Sequence, residues 1–216
     1  MPRRGQYDRT QPAAQRRREQ RAKLLASAAK VFAGTGYARA SVEAIIKDAG
    51  MSRRTFYEHF DDLRDVLLKL HERTARFAIA FVRGAIESAP DPIAGVEAGI
   101  RAFLHLTATH VDLARVLFRE VRASGDDYQR EALEDAFAKI LLVALRQAHE
   151  RGDLAIRPEP LAVTALVGAI ETMAMRLVEH GSEEELREAA PTLLRMTLNA
   201  FHHVEERPPR RRRSSP

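Results

Sequence analysis

Cysteine is missing from this 216-residue chain. Without a thiol, a disulfide framework, a cysteine nucleophile and a thiolate-held zinc or iron–sulfur centre are all excluded. The lack also suits a reducing compartment. The arginine-rich N-terminus has no continuous apolar stretch of the kind a secretory signal needs, and no segment reads as the roughly 18 apolar residues of a membrane span. These gaps predict a soluble, cytoplasmic protein with no membrane partner. Catalytic motifs are missing too. There is no glycine-rich phosphate loop, no Gly-x-Ser-x-Gly elbow and no His-Glu-x-x-His string, so the chain reads as no enzyme, with no catalytic residues and no cofactor. Sustained apolar/polar alternation and Asn-Gly hairpin signals are absent, as are internal repeats.

What is present begins with charge. The total is 35 Lys/Arg against 30 Asp/Glu, but residues 1–60 hold 13 against 5, a net +8, leaving a net −3 for the remainder. Arg16, Arg17, Arg18, Arg21 and Lys23 form the densest run, and Arg207 with Arg210 to Arg213 form a second cluster. A basic first third beside a mildly acidic remainder suits a polyanion-binding module joined to a module with another task. Residues 1–15 and 205–216 lack periodicity and read as a disordered basic arm and tail.

Between these ends the apolar spacing is helical throughout, and the fold class is all-α. A first helix over roughly 16–33 aligns Leu25, Ala28, Ala29 and Phe32, then meets Gly34 and Gly36. Ser41 caps a short second helix that stops at Gly50; Ser52 caps a third, with Met51 and Phe56 as a hydrophobic staple. A long fourth helix ends near Ser88, and Asp91-Pro92 opens the next. Residues 92–122 break near His110 to Asp112. Ser124-Gly125-Asp126 opens a helix to about Arg151. The apolar segment 160–179 follows, and Gly181, Ser182 and Glu185 start a last helix to about Val204, with a kink or a late start at Pro191.

The first three helices have the layout of a helix-turn-helix unit. At 100° per residue, Phe56 and Phe60 of the third helix face inward, Arg54 and Glu58 point away from them, and Arg53 and Tyr57 take the adjoining flank. A short helix with such a face suits the major groove, where arginine donates two hydrogen bonds to guanine O6 and N7. Tyr57 and His59 are placed to reach phosphates, as are the backbone N–H groups behind Ser41 and Ser52. Glu58 is read as the partner of a basic neighbour.

The stretch SVEAIIKDAGMSRRTFYEHF, Ser41 to Phe60, together with Gly36 and Tyr37, resembles the DNA-binding signature of the tetracycline-repressor (TetR) family of bacterial transcriptional regulators. About 45 residues carry the resemblance. It implies a homeodomain-like three-helix domain over 16–60 and a helical effector-binding and dimerisation domain over 61–204. It further implies a homodimer on a near-palindromic double-stranded operator, acting as a repressor that an effector releases. By position, Ser52, Arg53, Arg54, Thr55, Tyr57 and His59 form the recognition element, with Ser41 and Lys47 on the backbone. One departure stands out. Where family members often carry a phosphate-binding lysine, this chain has Leu63, preceded by Asp61 and Asp62, which read as helix caps, so no phosphate contact is assigned there, with Arg64 the nearest basic residue.

The resemblance also implies a cavity for a small hydrophobic or aromatic effector. Phe81, Phe103 and Phe118 are candidate walls, with His105, Arg119 and Tyr128 as polar contacts, although core packing is the simpler reading of any one aromatic. His105 with His110, and His202 with His203, lack the i, i+4 spacing of helical metal ligands, so no metal is expected. The last two helices read as the dimer interface, because Ala165, Gly168, Ala169 and Ala174 permit close approach. The alternative is a helical small-molecule-binding or scaffold protein whose DNA-binding module is vestigial.

Overall fold

The computed structural model describes residues 12–181 and 183–201. The arm up to Gln11, Ser182 as a cap, the pair His202 and His203, the expected helix end near Val204 and the tail 205–216 lie outside these residues. Among the described residues there are ten α-helices and no strand, so the fold is all-α. The chain forms two compact units, one of residues 12–80 with 106–133 and the other of 81–105 with 134–201.

In the first unit, α1 (Ala13–Thr35), α2 (Val42–Ala49) and α3 (Arg53–Tyr57) enclose Phe32, Ile45, Phe56 and Phe60, none more than 2% exposed. Burying each such side chain stabilises the unit by roughly 1.5–3 kcal/mol. Helix α1 starts three residues earlier than the periodicity suggests, because the Pro12 carbonyl accepts from Gln15 and Arg16 N–H at 3.0 and 3.2 Å. Gly34 stays inside it. The helix ends at Gly36, whose φ of 76° only glycine adopts freely, with its N–H bonded to the Phe32 carbonyl at 2.9 Å.

Ser41 Oγ accepts from Ala44 N–H at 3.2 Å and Ser52 Oγ from Thr55 N–H at 3.1 Å, so both expected caps are present. Gly50, left-handed at φ 61° and ψ 40°, turns the chain between α2 and α3. Helix α4 (Leu63–Glu87) opens on a reciprocal cap. Asp62 Oδ1 accepts from Asp65 N–H at 2.7 Å, and Asp65 Oδ2 from Asp61 N–H at 3.3 Å. Leu63 packs against the core of the unit, which accounts for an apolar residue at that position.

That core is not confined to the first 70 residues. Helix α5 (Pro92–Thr109) is capped by Asp91, whose Oδ1 accepts from Ala94 N–H at 2.9 Å, and the chain breaks at His110. Then α6 (Val111–Arg115), a π-helical turn over Val116–Glu120 and α7 (Val121–Ala123) bring Val116 and Val121 into the cluster around Phe32 and Phe56. The π turn is not foreshadowed by the spacing. Its last residue, Glu120, is 3% exposed, and its carboxylate accepts the N–H of Tyr37 at 2.6 Å across 83 positions of sequence. Arg119 Nε lies 3.6 Å from the same carboxylate. Gly125 (φ 78°) leads into α8 (Asp127–Glu150), while the Asp126 carboxylate accepts from Ser124 Oγ at 3.1 Å and from Arg64 at 2.5 Å.

The second unit is built from the end of α4, most of α5 and α8, then α9 (Pro160–His180) and α10 (Glu183–Asn199). Gly99 lets α5 meet α4 closely, since a Cβ there would sit 2.7 Å from Ile86 Cγ1. Leu145, Ala148, Val163 and Leu193 are fully buried, and Ile156 N–H donates to the Phe201 carbonyl at 2.9 Å. Pro191 lies within α10, which runs through it without a late start. Helix α9 corrects the expectation about apolar length. An 18-residue window of it has mean hydropathy 1.6 and is only 17% buried, so by length and composition it is apolar enough to cross a membrane. Its buried residues, Val163, Val167, Ile170 and Ala174, form one face, while Leu161 is 83% exposed.

Candidate nucleic-acid interface

The turn at Gly50 fixes α3 against α2, and the two phenylalanines hold it there. Phe56 is fully buried and Phe60 nearly so, with ring centroids 5.6 Å apart. Helix α3 ends at Tyr57, one turn short of Phe60, yet the Phe60 N–H still reaches the Phe56 carbonyl at 3.0 Å. With the rings inside, the polar residues of α3 are forced outward. The Arg54 side chain is 89% exposed, and Tyr57, packed edge-on against Phe56, is half exposed.

Both outward guanidiniums are engaged by carboxylates of the same module. Arg53 pairs with Glu43 of α2, and Arg54 Nε donates to Glu58 Oε1 at 3.0 Å in an i, i+4 pair, so the basic neighbour of Glu58 is Arg54. Ser52 Oγ and Thr55 Oγ1 are 2.9 Å apart at the start of α3. Lys47 is exposed near the end of α2, and Ser41 is half-buried at its start.

Helix α1 flanks this face. Arg17 donates to the Glu58 carbonyl at 2.8 Å, Gln20 Oε1 lies 3.3 Å from His59 Nε2, and the Arg21 guanidinium sits 5.2 Å above the Phe60 ring. Burial, with the nearby charges of Arg17 and Arg21, pushes the His59 imidazole below its ordinary value. In the free protein this favours the neutral ring, which keeps one N–H to donate. Arg64 is held by Asp126 and is not a free replacement for the missing lysine.

Glu43 and Gln20 are the participants that sequence reasoning missed, while Arg17, already counted in the basic run, was not placed against Glu58. Arg17 and Arg21 sit four apart on α1, a spacing that puts them on one face, but nothing local says that this face meets residues 58–60.

The candidate effector residues are divided. Phe81, Phe103 and His105 fall in the second unit, where Phe103 packs edge-on against Phe137 at 5.6 Å. Phe118, Arg119 and Tyr128 fall in the first. Phe118 is buried, whereas Phe81 is 40% and Tyr128 78% exposed, so these last two depart from the simple core reading. Phe77 is half exposed as well. Among the described residues no group of three or more His, Asp or Glu side chains is placed to hold a metal ion.

Residues 24–70 match the family model described as bacterial regulatory proteins, tetR family, and residues 89–199 match the model for a tetracyclin repressor-like C-terminal domain. The HTH-type transcriptional regulator EthR of Mycolicibacterium smegmatis (strain ATCC 700084 / mc(2)155) is 26% identical over 191 residues, covering 85% of this chain and 87% of that protein. The HTH-type transcriptional activator FasR of the same strain is 28% identical over 132 residues, 61% of this chain and 58% of that one. In fold, the chain is similar to the fatty acid degradation regulator FadR from Bacillus halodurans. The TM-score is 0.77 at 21% identity, over 86% of this chain and 97% of that one. FadR from Bacillus subtilis, solved in complex with stearoyl-CoA, gives 0.75 at 21% identity over 84% and 99%.

Proposed function

This chain belongs to the TetR family of bacterial regulatory proteins, and from that premise we propose how this DNA-binding transcriptional regulator, which is not an enzyme, reads and leaves its operator. Helix α3 enters the major groove. Arg54 and Arg53 reach base edges, with Ser52, Thr55 and Tyr57 beside them, and Ser41, Lys47 and His59 touch the backbone. One observation carries this reading: Phe56 and Phe60 anchor α3 from below while Arg54 stands 89% exposed on the opposite side.

A single short helix reads few base pairs, so the working form is a homodimer joined through α9 and α10, on a near-palindromic operator with half-sites about 34 Å apart. Support for that interface comes from the small exposed residues Ala165, Ala169 and Thr172. A shallow groove of about 550 Å³ runs beside them along Gly168, Ala169, Thr172, Met173, Arg176 and Leu177. A two-helix pairing also gives the apolar length of α9 a place to be buried without a membrane.

The effector is an amphiphile of the acyl-CoA kind whose apolar chain is bound by the helical domain, with Phe81, Phe103 and His105 as candidate contacts. The structural neighbour solved with stearoyl-CoA supports that chemistry. Binding lowers operator affinity to the extent that the effector prefers the conformation DNA does not. The protein acts as a repressor in the bacterial cytoplasm.

Selection of duplexes from a random pool tests the operator proposal. A two-fold symmetric consensus with guanines at matching positions of each half is expected, and enrichment of no sequence refutes it. Adding stearoyl-CoA to the selected complex should release the DNA, and a promoter fusion should rise in expression when the gene is removed. Lower expression would make the protein an activator.

A further inference from the structure

We propose that the cleft between α1 and α4 is a second anion site, apart from the recognition face, built to hold a phosphate group. Arg18, Arg21, Lys69, Glu72, Arg73 and Arg76 line it over a floor that includes Ala22 and Leu25, and its volume is about 160 Å³. Five cations thus face one carboxylate. Glu72 is shared between Lys69 at 4.0 Å and Arg76 at 3.5 Å, and Arg18 and Arg73 make no ion pair among the described residues.

The cations recur at helical spacing on each wall, Arg18 and Arg21 on α1 and Lys69, Arg73 and Arg76 on α4. Like charges three and four apart weakly disfavour their own helices, a cost that Glu72 offsets in part and an added anion offsets further. Arg21 is already fixed, since its guanidinium rests over the Phe60 ring, so part of the ordering cost is met before a ligand arrives. Arginine forks match phosphate oxygens two at a time. The volume is well below the roughly 300–1,000 Å³ of pockets that swallow a drug-sized molecule. A phosphate headgroup fits, with the rest of its carrier outside.

That phosphate has two candidate carriers, the DNA backbone beside the half-site and a free polyphosphate such as the tail of a nucleotide. Arg73→Gln/Arg76→Gln removes two charges from the cleft. Arg83→Gln/Lys139→Gln removes two exposed charges elsewhere and controls for net charge. Each protein is titrated with sodium tripolyphosphate at constant ionic strength, following the melting temperature. Its affinity for a random-sequence duplex is then measured over a range of salt.

A free carrier predicts a saturable rise in melting temperature for wild type and control that weakens at least tenfold in the cleft variant. The DNA carrier predicts in addition a log–log salt slope that falls, in the cleft variant alone, by about 0.9 for each phosphate it no longer neutralises, whereas a free carrier leaves the slope at the control's value. Glu72→Gln removes the opposing carboxylate and should strengthen whichever response is seen, which guards against a cleft variant that merely misfolds. If the cleft variant matches the control in both measurements, or Glu72→Gln changes nothing, the site does not exist.

Discussion

Replacing Arg54 with alanine separates reading from folding, because the side chain serves one and hardly the other. It is 89% exposed, and its ion pair with Glu58 at 3.0 Å is of the exposed i, i+4 kind worth about 0.3–0.5 kcal/mol. Stability in urea should therefore move by no more than about 0.5 kcal/mol. Operator binding should change far more. A guanidinium forked onto guanine contributes about 1–3 kcal/mol of discrimination, so the dissociation constant should rise between about 5-fold and 160-fold, with preference lost at one base pair of each half-site.

The free protein complicates this usefully. Without Arg54, the Glu58 carboxylate is left facing the duplex alone and adds repulsion of its own. Arg54→Ala/Glu58→Gln should therefore bind more tightly than Arg54→Ala by a few tenths to about 1 kcal/mol. Fluorescence anisotropy against the selected duplex, at several salt concentrations, measures all of this. A phosphate contact would leave base preference intact and lower the salt slope by about 0.9. If affinity, preference and slope all stay at wild-type values, Arg54 does not touch DNA and the assignment of α3 fails with it.

Glu120→Ala removes the buried carboxylate that accepts the part-buried Tyr37 N–H at 2.6 Å, and a charge-assisted bond of this sort is worth about 1.5–3 kcal/mol. A urea midpoint shift equivalent to less than about 0.5 kcal/mol would show that the contact is idle. His71 is 1% exposed, and burial pushes its imidazole below the ordinary value against smaller opposing pulls from the Leu117 backbone and then from the Asp126 charge. Its neutral form belongs to the folded state. Stability is thus fully present above the unfolded value near 6.5 and is lost as pH falls through the lower folded value. His71→Leu should flatten that acid limb in denaturation series, and an unaltered pH profile would exclude His71 as its source. Ala169→Glu sets a carboxylate on the exposed small-residue face of α9 and should turn a dimer into monomers by sedimentation velocity, with loss of operator binding. A variant that sediments like wild type removes α9 from the interface.

The caps at Ser41, Ser52, Asp62 and Asp91 could be read from sequence because a cap depends on residues three apart. Phe56 inside and Arg54 outside followed from helical period alone. The Glu120 contact could not be read, since an 83-residue separation leaves no local trace and the π turn that aims the carboxylate differs from an α turn by one residue. Exposure of Phe77, Phe81 and Tyr128 was hidden for a related reason. Period tells which residues share a face, but only tertiary packing tells which faces are covered. The apolar character of α9 was seen in the residues of 160–179, while its reach as an 18-residue window was underrated because Glu171 and Arg176 interrupt the run by eye.

The cluster around Phe32 and Phe56 is completed by Val116 and Val121, some fifty residues beyond Leu70. On the ribosome, at about 5–20 residues per second, that interval lasts roughly 3–10 seconds. A nascent chain passes this time with all three helices of its reading module synthesised but the acceptor for Tyr37 not yet made. A transcript cut short after the recognition motif therefore encodes a fragment whose core lacks Val116 and Val121 and whose Tyr37 N–H lacks the Glu120 carboxylate.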